Sequence, residues 1–264
     1  DPNVETRMAK NNNYFWGIAE IAPNEAILRY NLDAPTVRTL ISNDEHDISS
    51  NWLPTDVKAA IADSGDKLAK VVSAGGWYFK INTTRAPLDD VNCRKSLAYA
   101  LDYDSLVGTF QVTDDIAAGQ KARGPIPQGM IGYSDDVPLV EYNLDKAKDY
   151  LSKCKYSGDD LKITINWIAE VPFEESWALI LQQGAMAIGY EASVETLPWA
   201  VFTEQVTKPE TTPNLSIVAV QAQTPDPDGL IYNMYHSAAA GTWQSTEWVQ
   251  DDNIDSMLNA GRTT

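Results

Sequence analysis

Residues 76–107 read GWYFKINTTRAPLDDVNCRKSLAYALDYDSLV, and this stretch decides the fold class. Trp77 to Ile81 is an aromatic and β-branched run of strand character, and Asn82 to Pro87 breaks it with turn-forming residues. A helix follows. Asp89 or Asp90 is placed to cap its first amides, and Val91, Leu97, Ala98 and Leu101 recur at three- and four-residue steps to give one apolar face. Asp102 and Asp104 then open a second short helix. A strand, a break and two helices in succession belong to an α/β layer fold.

Toward the N-terminus, Glu25 to Leu32 alternates as a strand, and Pro35 to Ile41 suits a helix with Thr36 near its start. NDEHDISS (43–50) is a turn into a short strand, with His46 solvated among acids, and Thr55 to Ala62 forms another short helix. Tyr14, Phe15 and Trp16 have core or edge packing as their default reading. Toward the C-terminus, residues 108–142 hold the densest glycine and proline usage and predict a long ordered loop. Leu144 to Lys153 restores helical spacing behind Asn143 as a cap, and LKITINW (161–167) alternates strictly as a strand. A helix from about Phe173 to Ile188, ended by Gly189, leads to a strand at Glu191 to Thr196. That strand, helix, strand unit implies parallel neighbours with a right-handed crossover. Leu215 to Val220 is a further buried strand, and a helix from about Gly229 to Tyr235 follows TPDPD. Ligands gather beyond the carboxyl ends of strands in open α/β sheets, so Trp167 to Glu170 and Gln221 to Thr224 share one candidate rim.

Hydrophobic residues make up 44% of the 264-residue chain and charged ones 22%, an ordinary globular balance that argues against disorder. The formal charge is 20 minus 37, or −17, with no basic block, so nucleic acid and anionic membrane surfaces are poor partners. No apolar run approaches the roughly 20 residues of a membrane helix. Cys93 and Cys154 have no metal-ligand spacing; both fall on predicted helices, which favours two buried free thiols over a disulfide. His46 and His236 belong to no zinc motif or triad pattern, and nucleotide-loop and nucleophile-elbow motifs are absent, so no catalytic residue, metal ligand or cofactor is expected. Asp226 and Asp228 stand between prolines and read as a rigid turn, and DDNID (251–255) lacks the glycine and closing glutamate of a calcium loop.

Tryptophan is dense in the second part of the chain, at 77, 167, 177, 199, 243 and 248. Indoles offer flat contact area and one donor to a ligand, while core packing is the default for any single one. Trp177 lies on a helix face and reads as core; the strand-end positions of Trp167 and Trp199 leave both readings open. The candidate ligand-binding set is Trp77, Tyr78, Trp167, Trp199, Gln221 and Gln223.

The order NNNYFWG (11–17), LISNDEHDIS (40–49), residues 76–107, GPIPQGMIGY (124–133), YNLDKAKDYLSKCKY (142–156), AIGYEASVETLPW (187–199) and TPDPDGL (224–230) resembles the large extracellular solute-binding proteins, family 5, that deliver peptides, and sometimes nickel or sugars, to ABC importers. The resemblance implies a periplasmic-binding-protein type II-like α/β fold with mixed sheets flanked by helices. It also implies a fragment lacking both ends, with residues 1–82 part of lobe I and 83–264 most of lobe II. The implied function is capture of a peptide or other small solute by a monomer outside the cytoplasmic membrane, periplasmic or tethered as a lipoprotein, and delivery to permease subunits. An enzyme of the glycosidase class using Asp or Glu pairs, or a pocketless interaction module, are the alternatives. Dipeptide-binding relatives place an acid three positions before DPD and a base after the strand that LKITINW resembles; this chain has Gln223 and Ile168 there, with Glu170 following. Trp199 matches an aromatic that lines the cavity in such relatives.

Overall fold

The computed structural model describes residues 4–49, 53–63, 65, 68–69 and 73–263. Contacts divide the chain into two compact units, Asp1–Ala69 and Lys70–Thr264. In the first, β1 (Glu5–Ala9) pairs antiparallel with β2 (Glu25–Arg29), in register from Glu5 opposite Arg29 to Ala9 opposite Glu25. Helix α1 (Ala34–Ser42) begins at Asp33, whose carboxylate accepts the Thr36 amide at 2.7 Å, and α2 (Thr55–Asp63) follows. The turn at Asn43 to His46 folds back on α1 through Glu45 and His46 amides to the Leu40 carbonyl, leaving His46 half-buried, and no strand forms in the described residues up to Ser49. The aromatic cluster is not core: Phe15 and Trp16 are 77% and 80% exposed. Three consecutive residues in a turn closed by the Gly17 amide on the Tyr14 carbonyl cannot all face one side.

The second unit is built on a four-stranded mixed sheet. Its first strand, β3 (Gly75–Ile81), is followed by α3 (Val91–Ala100), α4 (Tyr103–Gly108), the small hairpin β4 (Gln111–Thr113) and β5 (Ile116–Ala117), and α5 (Leu144–Leu151). Then come β6 (Lys162–Ile168), α6 (Glu174–Ile188), β7 (Glu191–Leu197), α7 (Trp199–Gln205), β8 (Leu215–Gln221), α8 (Asp228–Tyr235) and α9 (Asp252–Gly261). The sheet order is β3-β8-β6-β7, parallel from β8 through β6 to β7 and antiparallel at β3. Because β3 hydrogen-bonds along all of β8, this strand belongs to the second contact unit, which begins at Lys70.

Period-two alternation sorts the sheet into two faces. Trp77, Phe79, Ile81, Ile163, Ile165, Trp167, Leu215 and Ile217 pack with Leu97, Trp177, Leu181 and Ala185 of α3 and α6. Tyr78, Ile168, Val218 and Val220 pack with Phe202 and Val206 at α7, and with Leu230 and Met234 of α8. Side-chain caps start α3 at Asp90, α4 at Asp102, α5 at Asn143 and α9 at Asp251, so DDNID is a helix start. The buried face of α3 is Cys93, Ser96, Leu97 and Ala100, whereas Val91, expected on it, is exposed in the first turn. Helix α6 ends at Gly189 with φ 115°, and it crosses the end of α3 so closely that a Cβ at Gly184 would collide with the Ala100 carbonyl.

The free-thiol expectation is corrected. Cys93 and Cys154 form a disulfide with Cα atoms 5.2 Å apart. Helix α5 stops at Leu151, so Cys154 lies in the turn beyond it. That turn is drawn onto the start of α3 by Asn92 Nδ2 donating to the Lys153 carbonyl at 3.2 Å and Lys155 N donating to Asp90 at 3.0 Å.

Candidate functional site

The parallel directions of β6, β7 and β8 bring Ile168 to Glu170, Leu197 to Trp199 and Gln221 to Gln223 to one end of the sheet. Antiparallel β3 starts there: Gly75 lies opposite Gln221, and the Ala222 amide donates to the Ala74 carbonyl at 3.0 Å. Gly75 is required at this edge, since a Cβ would collide with the Val220 carbonyl. A bond of 2.9 Å from the Ala169 amide to the Leu197 carbonyl ties the ends of β6 and β7.

The candidate residues separate on this frame. Trp199 is 38% exposed at the start of α7, with its ring edge-on to Trp243 at 5.3 Å and tilted against Phe202 at 5.6 Å. Gln221 and Gln223 are exposed at the end of β8. Trp77 and Tyr78, adjacent on β3, point to opposite faces and so cannot line one cavity together. Trp77 is half-buried in an aromatic cluster, 6.2 Å from Phe110, 5.7 Å from Phe173 and 5.8 Å from Trp177. The Tyr78 hydroxyl donates to the Pro125 carbonyl at 3.0 Å, and burial pushes its pKa up to about 12. Trp167 packs against the α3–α6 face. The structure thus places Trp199, Gln221 and Gln223 on the solvent side of the rim and the other three in packing roles.

Sequence reasoning missed Trp243 as a partner of Trp199; nothing in its local pattern marks it, because the contact joins the first residue of α7 to a distant turn. It also missed what two carboxylates do. Glu170 accepts the Trp199 amide at 2.9 Å, and Glu174, the first residue of α6, accepts the Ile168 amide at 3.0 Å. Glu174 is 1% exposed. Desolvation raises its pKa to about 8 against the opposing pull of the Ile168 amide and the Trp77 indole. On the Tyr78 face of the sheet, Lys80 donates to Glu247 and to the Gln244 carbonyl, both at 2.7 Å. Burial pushes Lys80 down and Glu247 up, each opposed by the other's charge.

Asp226 Oδ1 accepts the Asp228 amide at 2.8 Å, a rigid turn into α8, as its prolines suggest. Among the described residues, one trio has ligand atoms close enough for a metal, Asp90, Cys93 and Cys154, and both sulfurs are consumed in the disulfide. Two open hollows of about 480 and 340 Å³ lie in the first unit beside α1 and contain none of the candidate residues.

A sequence model of the bacterial extracellular solute-binding proteins, family 5 Middle, matches residues 1–242. The chain is 25% identical over 229 residues to the probable D,D-dipeptide-binding periplasmic protein DdpA of Escherichia coli K12, covering 86% of this chain and 43% of that protein. It is 26% identical over 194 residues to the dipeptide-binding protein of the same organism, covering 71% and 34%. The oligopeptide-binding protein AppA of Bacillus subtilis, solved with a nonapeptide, superposes with a TM-score of 0.79 at 20% identity, over 100% of this chain and 53% of that one. The fold is therefore that of the type II periplasmic binding proteins, and the chain spans about half or less of the length of these relatives.

Proposed function

Because the chain belongs to the bacterial extracellular solute-binding proteins, family 5, we propose that the full-length protein is the substrate-binding component of an ABC importer. It captures a peptide-like solute outside the cytoplasmic membrane, as a periplasmic or lipid-tethered monomer, and delivers it to permease subunits. In this reading residues 83–264, with β3, are most of the second lobe, the first unit is part of the other, and ligand contacts made only in the closed state drive closure. The family is one of solute-binding proteins, which favours capture over hydrolysis. Peptide-binding names among the relatives support the solute class.

The observation that carries the ligand reading is the exposed Trp199 ring, sharing its rim with the neutral side chains of Gln221 and Gln223. A free dipeptide's ammonium group loses its water in a closed cleft and needs an anion there; without one, several kcal/mol of desolvation go unreturned. Gln223 offers a neutral carbonyl, Ile168 no side-chain donor, and Glu170 is engaged with a backbone amide. The protein therefore prefers longer or end-blocked peptides, held through backbone and aromatic contacts, to free zwitterionic dipeptides. Calorimetry on the full-length protein with both sets of peptides tests this. Micromolar binding of free dipeptides, unchanged by Gln223→Ala and Trp199→Ala, would refute both the specificity and the site.

A further inference from the structure

The turn between β6 and α6 is held by two carboxylates that work in opposite directions. From inside, Glu174 reaches back to the Ile168 amide, and the turn closes on itself through Val171 N to Ile168 O at 2.8 Å and Glu174 N to Val171 O at 3.0 Å. From the same turn, Glu170 reaches outward to the Trp199 amide. Trp199 is the first residue of α7; it follows Pro198, which supplies no side-chain cap and has φ −58°, so the Glu170 contact takes the place of a cap there. Two bonds and one short turn thus connect the packed underside of the sheet, at Trp77, to the exposed indole at the rim.

We propose that Glu170 and Glu174 are positioning residues that hold Trp199 at the rim, so that ligand affinity depends on both without either touching the ligand. The part concerning affinity rests on the reading of Trp199 as a ligand wall; the mechanical link does not. The influences on Glu174 are desolvation, the Ile168 amide and the Trp77 indole, with no charged group among them. Its ionisation places an uncompensated charge beneath the turn, and the turn is the path to Trp199.

The test uses the full-length protein with 5-fluorotryptophan, the Trp199 resonance assigned by Trp199→Phe, and site-resolved amide exchange. Glu170→Ala should raise exchange at Trp199 by about tenfold while leaving Ile168 protected; Glu174→Ala should raise it at both. Glu174→Gln, which keeps an acceptor for the Ile168 amide and folds without a buried charge, should keep both amides protected. It should also abolish a shift of the Trp199 fluorine signal that the parent protein shows as pH passes about 8. Unchanged Trp199 exchange in Glu174→Ala, or a pH step that persists in Glu174→Gln, overturns the link. Binding is then read with end-blocked tripeptides and nonapeptides: a fall in affinity of tenfold or more in Glu170→Ala supports the dependence, and unchanged affinity refutes it. If no peptide binds the parent protein, the ligand reading fails and the affinity claim with it, while the exchange data still decide the mechanical link.

Discussion

Replacing Lys80 by Met should destabilise the protein by about 3 to 5 kcal/mol, the cost of leaving one member of a buried ion pair alone. The Lys80 side chain is 0% exposed and Glu247 12%, and the pair joins β3 to a segment 167 residues away in sequence. Lys80 also satisfies the Gln244 carbonyl, so the substitution orphans a second acceptor. Glu247 Oε2 has no hydrogen-bond partner among the described residues, so only the nearby backbone amides of Glu247 and Thr246 would offset the lost cation. Met approximates the lysine stem in volume, which confines the loss to electrostatics and hydrogen bonding. Without Lys80, the burial that raises the Glu247 pKa is opposed only by the backbone amides of Glu247 and Thr246. A carboxyl raised in the folded state favours folding least when ionised, so the variant should be closer to the parent at pH 5 than at pH 8. The double variant Lys80→Met with Glu247→Leu should recover most of the loss, since a well-packed apolar pair removes both desolvation costs. Urea unfolding of the four proteins, completing a double-mutant cycle, measures this. A single variant within 1 kcal/mol of the parent, or a double variant as unstable as the sum of the singles, would refute the reasoning.

Cys93→Ala with Cys154→Ala should lower stability by about 4 kcal/mol, from the loop entropy of a cross-link with a sequence separation of 61, measured by urea unfolding against the oxidised parent. Gly184→Ala should cost about 1 to 3 kcal/mol through its collision with the Ala100 carbonyl, read as a lower Tm, with Gly189→Asn as a milder control at the C-cap. Glu174 has a folded pKa raised from 4.5 to about 8, so its contribution declines as pH rises through that window, by on the order of 5 kcal/mol at most. Glu174→Gln should flatten that part of the stability profile, and a slope identical to the parent's would show the carboxyl is not the cause.

Elements whose signals are local were legible in the sequence. LKITINW, the Asn143 cap and the Gly189 stop lie where their chemistry puts them, because alternation, capping and a left-handed residue act within a few positions. β1 was not, since ETRMA lacks apolar alternation, and its Arg7 is paired with Glu5 of the same strand at 2.7 Å and with Glu25 across on β2 at 3.5 Å, a partner 18 residues away. α7 was hidden by its start at Pro198 without a side-chain cap, which Glu170 supplies from 29 residues away. The candidate site followed the same rule. The carboxyl ends of the predicted strands put Trp167 to Glu170 and Gln221 to Thr224 at one candidate rim and Trp199 near a strand end, but Trp243 and Glu170 reach Trp199 through tertiary contacts that no periodicity encodes.

The run Asn82 to Pro87 combines turn chemistry with long-range contacts inside the second unit. Its residues do reverse the chain, yet they are pinned from a distance. Asn82 is fully buried, and its side-chain Nδ2 donates to the carbonyls of Pro209 at 3.0 Å and Thr212 at 3.2 Å. Arg85 donates to the Thr212 carbonyl at 2.8 Å, and Thr83 donates to the Glu247 carbonyl from both its amide, at 3.0 Å, and its hydroxyl, at 2.8 Å. Thr83 and Lys80 therefore fasten the same residue, Glu247, one through its backbone and the other through its side chain. A segment carrying this many buried polar contacts would lose them all in a freely bending linker, and each buried group left unpaired costs about 1 to 3 kcal/mol. These contacts are all made within the second unit, which begins at Lys70.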